Sequence, residues 1–316
     1  MGVPVYVIGG FLGSGKTTVL QNMIAMCKSR NLRPVILLNE IGQKNVEREL
    51  FGDEEVVELL DGCICCTIQD DLRDTLNGLM EKKELFDIVL IEGTGVANPM
   101  DIQEVLVSSA ICQHFDLLSV ITVVDASRYL DYQSVFSSSS DVRRLLQEQI
   151  MCGSLLVVNK VDALSTAELR KVRKKLDKVV ASHQELVACS FGNVDEQTLY
   201  QRRIDRALFE NGEQVRTHKP HRHSFVQVIC LEDFPALDQR AFENWMKQLP
   251  ESVLRSKGYC RFQHSDRVVS FQYASKKLTY RELEENRALS TIVLIGIELN
   301  IEQIKDQFEA LAGVNC

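Results

Sequence analysis

A glycine-rich segment close to the N-terminus has the residue types and spacing of a phosphate-binding loop. The segment GGFLGSGKTT covers residues 9–18 and contains the pattern G-x4-G-K-T, which starts at Gly10 and ends at Thr17. Because they lack a Cβ atom, Gly10, Gly13 and Gly15 allow backbone conformations that turn N–H groups inward around a phosphate. An apolar run precedes the segment and a helical pattern follows it, which is the context that separates a phosphate loop from a chance glycine-rich turn.

The side chains of this loop suit a nucleoside triphosphate and its Mg²⁺ ion. Lys16 is placed to neutralise the β- and γ-phosphate oxygens, and the hydroxyl of Thr17 is placed to bind Mg²⁺. Thr18 is placed to reach the α-phosphate, and Ser14 belongs to the same cofactor-binding loop. We therefore predict a nucleotide site at the N-terminus of the helix that follows.

The sequence VVNKVD at residues 157–162 predicts that the base is guanine. The carboxylate of Asp162 can accept hydrogen bonds from guanine N1–H and from the exocyclic amine. Adenine offers no such pair of donors, so it would leave a buried carboxylate unsatisfied. The stem of Lys160 can lie over the base, and Asn159 can tie this loop to the phosphate loop. A surface turn is the alternative interpretation, and the position of these residues after an apolar strand argues against it.

A second loop is placed to complete the base site. The sequence CSFGN at residues 189–193 follows a short predicted strand, Glu185–Ala188. Ser190 and Phe191 would then offer backbone N–H groups to the guanine carbonyl.

Acidic residues at the ends of predicted strands are candidates for catalysis. Glu92, in the segment 87–99, ends a strand predicted beside the first one, where an acid can hold Mg²⁺ or orient the attacking water. Gly95 can offer its N–H to the γ-phosphate, so that this loop would respond to the presence of that phosphate. Glu40 faces the same edge, because ligands bind at the carboxyl ends of parallel strands, with a helix cap or a solvated acid as its alternative. Asp125 ends the next strand, and its role stays open.

Three of the ten cysteines lie within four positions. The sequence GCICCT at residues 62–67 contains Cys63, Cys65 and Cys66, whose thiolates are soft ligands that suit Zn²⁺, Cu⁺ or tetrahedral Co²⁺. A fourth ligand would come from Glu40, a histidine or water, and an exchangeable position is what a metal carrier needs. Small buried apolar residues and a redox site are the alternatives. Only Cys63 and Cys66 meet the C-x-x-C spacing of a redox site.

The other cysteines and a histidine group are weaker candidates for metal binding. His221 and His223 would share a strand face and could bind metal, with His218 nearby, but a solvated linker is the favoured interpretation of these histidines. The remaining cysteines are scattered, mostly in apolar patterns that indicate packing: Cys27, Cys112, Cys152, Cys189, Cys230, Cys260 and Cys316.

The elements that must position these residues alternate between strand and helix, which predicts an α/β fold with a mostly parallel sheet. The apolar runs are continuous and rich in Val, Ile and Leu, as in strands buried on both faces. The predicted strands are Val3–Ile8, Pro34–Leu38, Ile88–Ile91, Leu118–Val124 and Leu155–Val158. The predicted helices are Thr17–Lys28, Asp70–Lys82, Met100–Ala110, Asp141–Gln149 and Ser165–Ala181.

The pattern changes at residues 211–222, where Gly212, Pro220 and dense polar residues predict a linker. We therefore predict a nucleotide domain at residues 1–212 and a smaller α+β domain at residues 221–316. The second domain has predicted strands and helices at Ser224–Ile229, Leu237–Gln248, Tyr259–Gln263, Val268–Tyr273, Thr291–Ile295 and Ile301–Leu311.

Length and composition fit two soluble domains. The chain has 316 residues, 45% of them hydrophobic and 25% charged, with a net charge of −8. The negative charge argues against nucleic acid as a partner, and no apolar run approaches the ~18 residues of a membrane span. We expect a cytoplasmic protein, where thiols stay reduced and clustered cysteines indicate metal or catalysis before disulfides.

Together these motifs resemble the CobW family of SIMIBI-class P-loop GTPases. The matching segments are GGFLGSGKTT, NEIG, ELLDGCICCT, IEGTGVANP, VVDA, NKVD and SFGN, with LRSKGYCRF and IVLIGIELN in the second domain. The resemblance covers essentially the whole chain. It implies a P-loop fold of the SIMIBI type followed by the family's C-terminal domain.

The resemblance implies a GTPase that serves as a metallochaperone or insertase for metal-dependent client proteins. In that interpretation Lys16 and Thr17 serve phosphate and Mg²⁺, Glu92 is the Walker B acid and Asp162 recognises guanine. The three clustered cysteines bind the metal, most simply Zn²⁺, with Co²⁺ or another soft metal left open. A small-molecule phosphotransferase and a regulatory GTPase with a structural zinc are the competing hypotheses, and the sequence leaves a homodimer open.

Overall fold

The computed structural model describes residues 2–38, 55–58, 67–95, 99–181, 184–208, 226–265, 267–274, 277–282, 290–297 and 299–313. Within it the chain forms two compact units, Met1–Arg203 and Ile204–Cys316. The predicted linker lies almost wholly in residues 209–225, outside the described ranges, so the limits 1–212 and 221–316 stay predictions. The strand Ile204–Leu208 falls within the predicted first domain, yet it pairs with a strand of the second unit.

The first unit contains a seven-stranded sheet in which every neighbouring pair is parallel. Its strands are β1 (Val3–Gly10), β2 (Pro34–Leu38), β3 (Glu55–Glu58), β4 (Ile88–Glu92), β5 (Phe115–Asp125), β6 (Leu155–Asn159) and β7 (Glu185–Ala188). The order across the sheet is β3-β2-β4-β1-β5-β6-β7. Because the strands are parallel, their carboxyl ends meet at one edge, and the segments predicted to bind the nucleotide all follow that edge.

Strands buried on both faces explain the continuous apolar runs. In β6, Leu155 and Val157 belong to the core on one face, whereas Leu156 and Val158 belong to the core on the other. The predicted parallel α/β fold is confirmed, and all six strands predicted in this unit are present within a few residues. The short edge strand β3 was not predicted.

The helices of the first unit connect these strands. They are α1 (Lys16–Ser29), α2 (Thr67–Met80), α3 (Pro99–Val107), α4 (Ser109–Cys112), α5 (Ala126–Gln133), α6 (Ser140–Cys152), α7 (Thr166–Leu176) and α8 (Glu196–Leu199), with short 3₁₀ turns at Lys83–Leu85 and Val161–Ala163.

Two helix predictions differ from the structure, and two short helices, α5 and α8, were not predicted. The predicted helix Met100–Ala110 is interrupted at Ser108, whose extended backbone begins α4 and whose hydroxyl donates to the carbonyl of Val105. The predicted helix Ser165–Ala181 ends at Leu176, whose carbonyl accepts from the N–H groups of both Val179 and Val180. Helices α5 and α8 are short, and each begins at an aspartate cap, Asp125 and Asp195 respectively.

The second unit is a six-stranded mixed sheet with two helices. Its strands are β8 (Ile204–Leu208), β9 (Val226–Glu232), β10 (Val253–Arg261), β11 (Val268–Ala274), β12 (Lys277–Glu282) and β13 (Thr291–Ile297), in the order β12-β11-β10-β13-β9-β8. All pairs are antiparallel except β8 with β9. The helices α9 (Gln239–Gln248) and α10 (Ile301–Ala312) contribute to one aromatic core with the sheet. This confirms the predicted α+β class of the second domain.

Among the described residues, no helix is both long enough and apolar enough to cross a membrane.

Candidate functional site

The phosphate loop is shaped by glycine at the junction of β1 and α1. Gly10 ends β1 with a φ of 138°, and Gly15 precedes α1 with a φ of 101°, both in the region that favours glycine. A Cβ atom would collide with the carbonyl of Val123 at Gly10 and with the amide of Asn159 at Gly15. No side chain caps the N-terminus of α1, and its first turn contains no acidic residue. This helix end therefore keeps the positive character that attracts a phosphate.

The two residues predicted to hold Mg²⁺ are in contact. The hydroxyl of Thr17 donates to Oε1 of Glu92 at 3.0 Å, although the residues are 75 positions apart in sequence. Glu92 is 1% exposed at the end of β4, which lies beside β1. A hydroxyl and a carboxylate are hard oxygen ligands, so the pair fits the requirements of Mg²⁺.

Lys16 adds a buried cation to the phosphate loop. The residue is 5% exposed, and its ammonium lies 3.5 Å from the carbonyl oxygen of Phe11 within the same loop. Burial of an ammonium is costly unless it meets an anion or several acceptors. Its position inside the loop is the one expected for neutralising a phosphate.

Asn159 joins three loops at the carboxyl edge of the sheet. Its amide donates to the carbonyl of Ser14 at 3.0 Å, and its carbonyl accepts from the N–H of Gly192 at 3.0 Å. The side chain is 2% exposed. The predicted tie between the base loop and the phosphate loop is therefore present in the structure, and it extends to the CSFGN loop as well.

Lys160 forms a second link between the base loop and the phosphate loop. Its backbone has a φ of 62°, and its ammonium donates to the carbonyl of Gly13 at 2.6 Å and to Oδ2 of Asp125 at 2.7 Å. The stem of Lys160 is thereby held across the mouth of the site.

The role of Asp125, which the sequence did not assign, is shown by two sets of contacts in the structure. Its carboxylate accepts from the N–H groups of Ser127 and Arg128, which caps α5, and it also pairs with Lys160. Burial acts to raise the pKa of Asp125, but the hydrogen bonds from Lys160 and Ser127 outweigh it and lower the pKa below its ordinary value. The group is therefore an anion at neutral pH.

Two further residues predicted to contact the base, Asp162 and Phe191, lie at the surface. Asp162 is exposed on the turn Val161–Ala163, and Phe191 is 76% exposed with a φ of 55°. The amide of Asn22 donates to the carbonyls of Phe191 at 3.3 Å and Gly192 at 2.9 Å, which fixes this loop to α1. Asn22 was missed by sequence reasoning, because a single polar residue on a helix carries no signal of its partner.

The segment after Glu92 packs directly on the phosphate loop. A Cβ atom on Gly95 would lie 2.7 Å from Cγ of Leu12, so the two loops approach as closely as glycine allows. The carbonyl of Gly95 accepts from Nε2 of Gln149 at 3.2 Å. Gln149 is a buried residue of α6 that sequence reasoning also missed. Gly95 therefore lies against the phosphate loop, and its carbonyl is held by the Gln149 side chain of α6.

The predicted transition-metal ligands lie outside the described residues. These are Cys63, Cys65, Cys66 and Glu40, and the three candidate histidines at positions 218, 221 and 223 are outside as well. Within the described ranges, no three His, Cys, Asp or Glu side chains form a group that could hold a metal ion.

The described cysteines have the character of packing residues. Cys27, Cys112, Cys152, Cys189, Cys230 and Cys260 are all buried free thiols, which confirms the interpretation as core residues for six of the seven scattered cysteines. Burial raises the pKa of Cys189 to about 11 and that of Cys260 to about 12. Both are neutral thiols at physiological pH, which makes them poor metal ligands.

Comparisons with known proteins agree with this architecture. Residues 4–187 match the family described as CobW/HypB/UreG, nucleotide-binding domain, and residues 226–312 match the Cobalamin synthesis protein cobW C-terminal domain. The chain is 27% identical to the zinc chaperone YjiA of Escherichia coli, with 98% of each chain covered. It is 26% identical to the zinc chaperone CobW of Pseudomonas aeruginosa, with 96% of this chain and 90% of the relative covered.

A solved structure supports the fold independently. The crystal structure of the Zn(II)-bound YjiA GTPase from E. coli aligns with a TM-score of 0.50 at 24% identity and covers 98% of this chain and 99% of that one. Since the first family profile spans more than half of the chain, the protein belongs to the CobW/HypB/UreG family of nucleotide-binding proteins.

Proposed function

We propose that this protein is a GTP-dependent metallochaperone that binds Zn²⁺ at its C-x-C-C segment and passes it to a metal-dependent client protein. The observation that carries the proposal is the contact between Thr17 and Glu92, since it assembles a phosphate and Mg²⁺ site from two distant motifs. The cysteine segment directly precedes α2 and lies between strands of the same sheet in the sequence.

The GTPase activity follows from the family and from the residues at the carboxyl edge. Lys16 neutralises phosphate oxygens, Asp162 recognises guanine, and the backbone of Ser190 and Phe191 contacts the guanine carbonyl. Thr17 and Glu92 would hold Mg²⁺, which when bound shields the charge on the β- and γ-phosphates. Glu40 and Gly95 contact the γ-phosphate or the attacking water.

Zn²⁺ is the cargo of this protein rather than a resident cofactor. The relatives named zinc chaperones favour zinc, and Cys63, Cys65 and Cys66 with Glu40 form a donor set that suits a tetrahedral soft metal. Co²⁺ fits the same donors. The client is a metal-dependent protein, and the site of action is the cytoplasm.

The binding of nucleotide and the binding of metal should influence each other. Gly95 packs on the phosphate loop, so we expect a bound γ-phosphate to shift residues 93–95, which precede helix α3 in the sequence. If GTP changes the affinity for zinc, zinc must change the affinity for GTP by the same factor. Hydrolysis then converts a metal-holding state into a metal-releasing state.

The cysteine assignment is tested by comparing Cys65→Ala with Cys112→Ala. Both variants remove one thiol, but Cys112 is a buried cysteine outside the motif. Zinc stoichiometry and affinity are measured by competition with a chromophoric chelator, and folding is measured by circular dichroism. We expect Cys65→Ala to fold and lose zinc, whereas Cys112→Ala keeps it.

Two outcomes would favour the competing hypotheses. If Cys65→Ala unfolds while Cys112→Ala does not, the zinc is structural and the protein is a regulatory GTPase. If incubation with GTP and cell metabolites yields a phosphorylated small molecule in place of free phosphate, the protein is a phosphotransferase.

A further inference from the structure

Helix α3 is buried along nearly its whole length and lies against both the phosphate loop and the segment that follows Glu92. Eight of its nine residues, all except Asp101, are buried. A Cβ atom on Gly9 would lie 3.0 Å from Cγ of Pro99, and one on Gly93 would lie 3.4 Å from Cδ1 of Ile102. The first turn of α3 is therefore in contact with the start of the phosphate loop and with the segment after Glu92.

Further along, α3 contacts the first turn of α2. Nε2 of Gln69 donates to Oε2 of Glu104 at 3.0 Å, and it lies 3.4 Å from the carbonyl oxygen of Asp101. Gln69 is 8% exposed and Glu104 is 7% exposed. Gln69 follows Cys66 by three positions, so the contact is made at the start of the helix that continues the cysteine segment.

We propose that Gln69 and Glu104 are positioning residues that transmit the nucleotide state to the metal-binding segment. This inference rests on the proposed function and names the contact through which its two sites are coupled. A loop that moves toward the γ-phosphate moves the start of α3, because packed interiors transmit displacement rather than absorb it. The hydrogen bond then shifts the first turn of α2, which the cysteine segment directly precedes in the sequence.

The chemistry of the pair suits transmission. A hydrogen bond to a carboxylate is stronger than a neutral one, and the low dielectric of a buried site strengthens it further. Because both side chains are buried, separating them would break a hydrogen bond away from water, so we expect Gln69 to follow Glu104 when α3 moves. A contact that only supports the fold would show no dependence on the nucleotide, which is the basis of the test.

The same helix offers a matched control. Gln103, the neighbour of Glu104, is 2% exposed and donates through Nε2 to the carbonyl of Cys152 at 3.1 Å. That contact is equally buried and also uses a glutamine amide as its donor, but its acceptor is a backbone carbonyl of α6 rather than a group in contact with the first turn of α2. Loss of Gln103 should therefore lower stability without affecting the metal segment.

The experiment measures the ratio of zinc dissociation constants in the GDP state and in the state bound to a non-hydrolysable GTP analogue. Four variants are compared with the wild-type chain: Gln69→Glu, Gln69→Met, the double variant Gln69→Glu with Glu104→Gln, and Gln103→Leu. Gln69→Glu opposes two carboxylates, and Gln69→Met removes the donor at similar volume. The double variant restores an amide-to-carboxylate hydrogen bond in the reverse direction.

We expect the wild-type ratio to depart from one by about 5- to 150-fold, the range of typical allosteric coupling. Gln69→Glu and Gln69→Met should bring the ratio to within about twofold of one, the double variant should restore it, and Gln103→Leu should leave it unchanged. If either Gln69 single variant keeps the ratio of the wild-type chain, or if the double variant does not restore it, the role of Gln69 and Glu104 is overturned while the proposed function stands. A ratio of one in the wild-type chain would contradict the proposed nucleotide coupling itself, and the inference with it.

Discussion

The two compact units of this chain bury polar side chains to very different extents. Among the described residues, the first unit buries Lys16, Glu92, Asp125, Asn159 and many others, whereas Arg255 and Ser256 are the two buried polar residues of the second. Several of those in the first unit lie at the carboxyl edge of the parallel sheet. The second unit is built instead around an aromatic core.

This difference separates residues that serve a ligand from residues that serve stability. Buried polar groups have a desolvation cost, and a fold keeps them where hydrogen bonds and a ligand compensate for it. Aromatic packing contributes stability and no chemistry. Substitutions of the buried polar residues at the carboxyl edge of the parallel sheet should therefore change nucleotide binding or hydrolysis, and substitutions in the aromatic core should change the free energy of unfolding.

The largest expected effect is on stability, from Phe242→Ala in the second unit. Phe242 is 0% exposed and packs against Phe271 with ring centroids 4.9 Å apart. Its truncation should cost about 3–5 kcal/mol, measured by urea unfolding, and leave the GTP affinity of the folded protein unchanged. The control is Phe136→Ala, which removes a 97% exposed ring and should cost under about 0.5 kcal/mol. Weakened GTP binding in folded Phe242→Ala would contradict the view that this aromatic core serves stability only.

Next in size is the effect of Lys16→Ala on hydrolysis. Loss of a preorganised positive charge at the phosphates should slow single-turnover release of phosphate by about 10²–10³-fold. Lys28→Ala changes an exposed lysine on the same helix and serves as the control. Near-normal hydrolysis by Lys16→Ala would show that the loop does not bind phosphate as described.

Asp125→Asn tests the link between Asp125 and Lys160. The variant keeps an acceptor for the cap of α5 but loses the charge opposite Lys160. Hydrogen bonds to charged groups contribute about 1.5–3 kcal/mol, so we expect GTP affinity to fall by about tenfold, measured with a fluorescent nucleotide. Unchanged affinity would make Asp125 a helix cap and nothing more.

The same carboxylate predicts a pH dependence. Its pKa is lowered from 3.8 in the folded protein. A lowered pKa contributes stability that is present above the ordinary value and is lost as the pH falls through the folded-state value. The difference in unfolding free energy between the native chain and Asp125→Asn should therefore be constant near neutral pH and shrink below about pH 4.

Phe191→Gly should have the smallest effect. A non-glycine residue in the left-handed region is strained, and the ring is mostly exposed, so glycine should stabilise the protein by at most about 1 kcal/mol. Phe191→Ala keeps the Cβ atom and should show no gain. Guanine binding should persist in both, because the loop contributes backbone N–H groups. Loss of binding in both variants would assign the ring itself a role.

The parallel sheet and the nucleotide loops were predictable because their signals are local. The strands are continuous apolar runs, and the phosphate loop has a fixed spacing that glycine geometry requires. The strand Glu55–Glu58 was missed, since four residues with an acid at each end carry no clear pattern of burial. Helix α5 was missed because its start depends on the cap that Asp125 supplies.

Contacts between residues far apart in the chain could not be predicted from one sequence. The partner of Lys160 is 35 positions away, and the partner of Gln69 is also 35 positions away. A buried Gln and a buried Glu look like ordinary helix residues in one sequence. Only the packing of α2 on α3 makes them a pair, and the parallel sheet decides that packing.

The central claim is that one protein couples a guanine nucleotide to a metal held by clustered cysteines. The most direct test is a zinc competition titration of the wild-type chain, carried out once with GDP and once with a non-hydrolysable GTP analogue. We expect the two zinc dissociation constants to differ at least about fivefold. Equal dissociation constants in the two nucleotide states would contradict it.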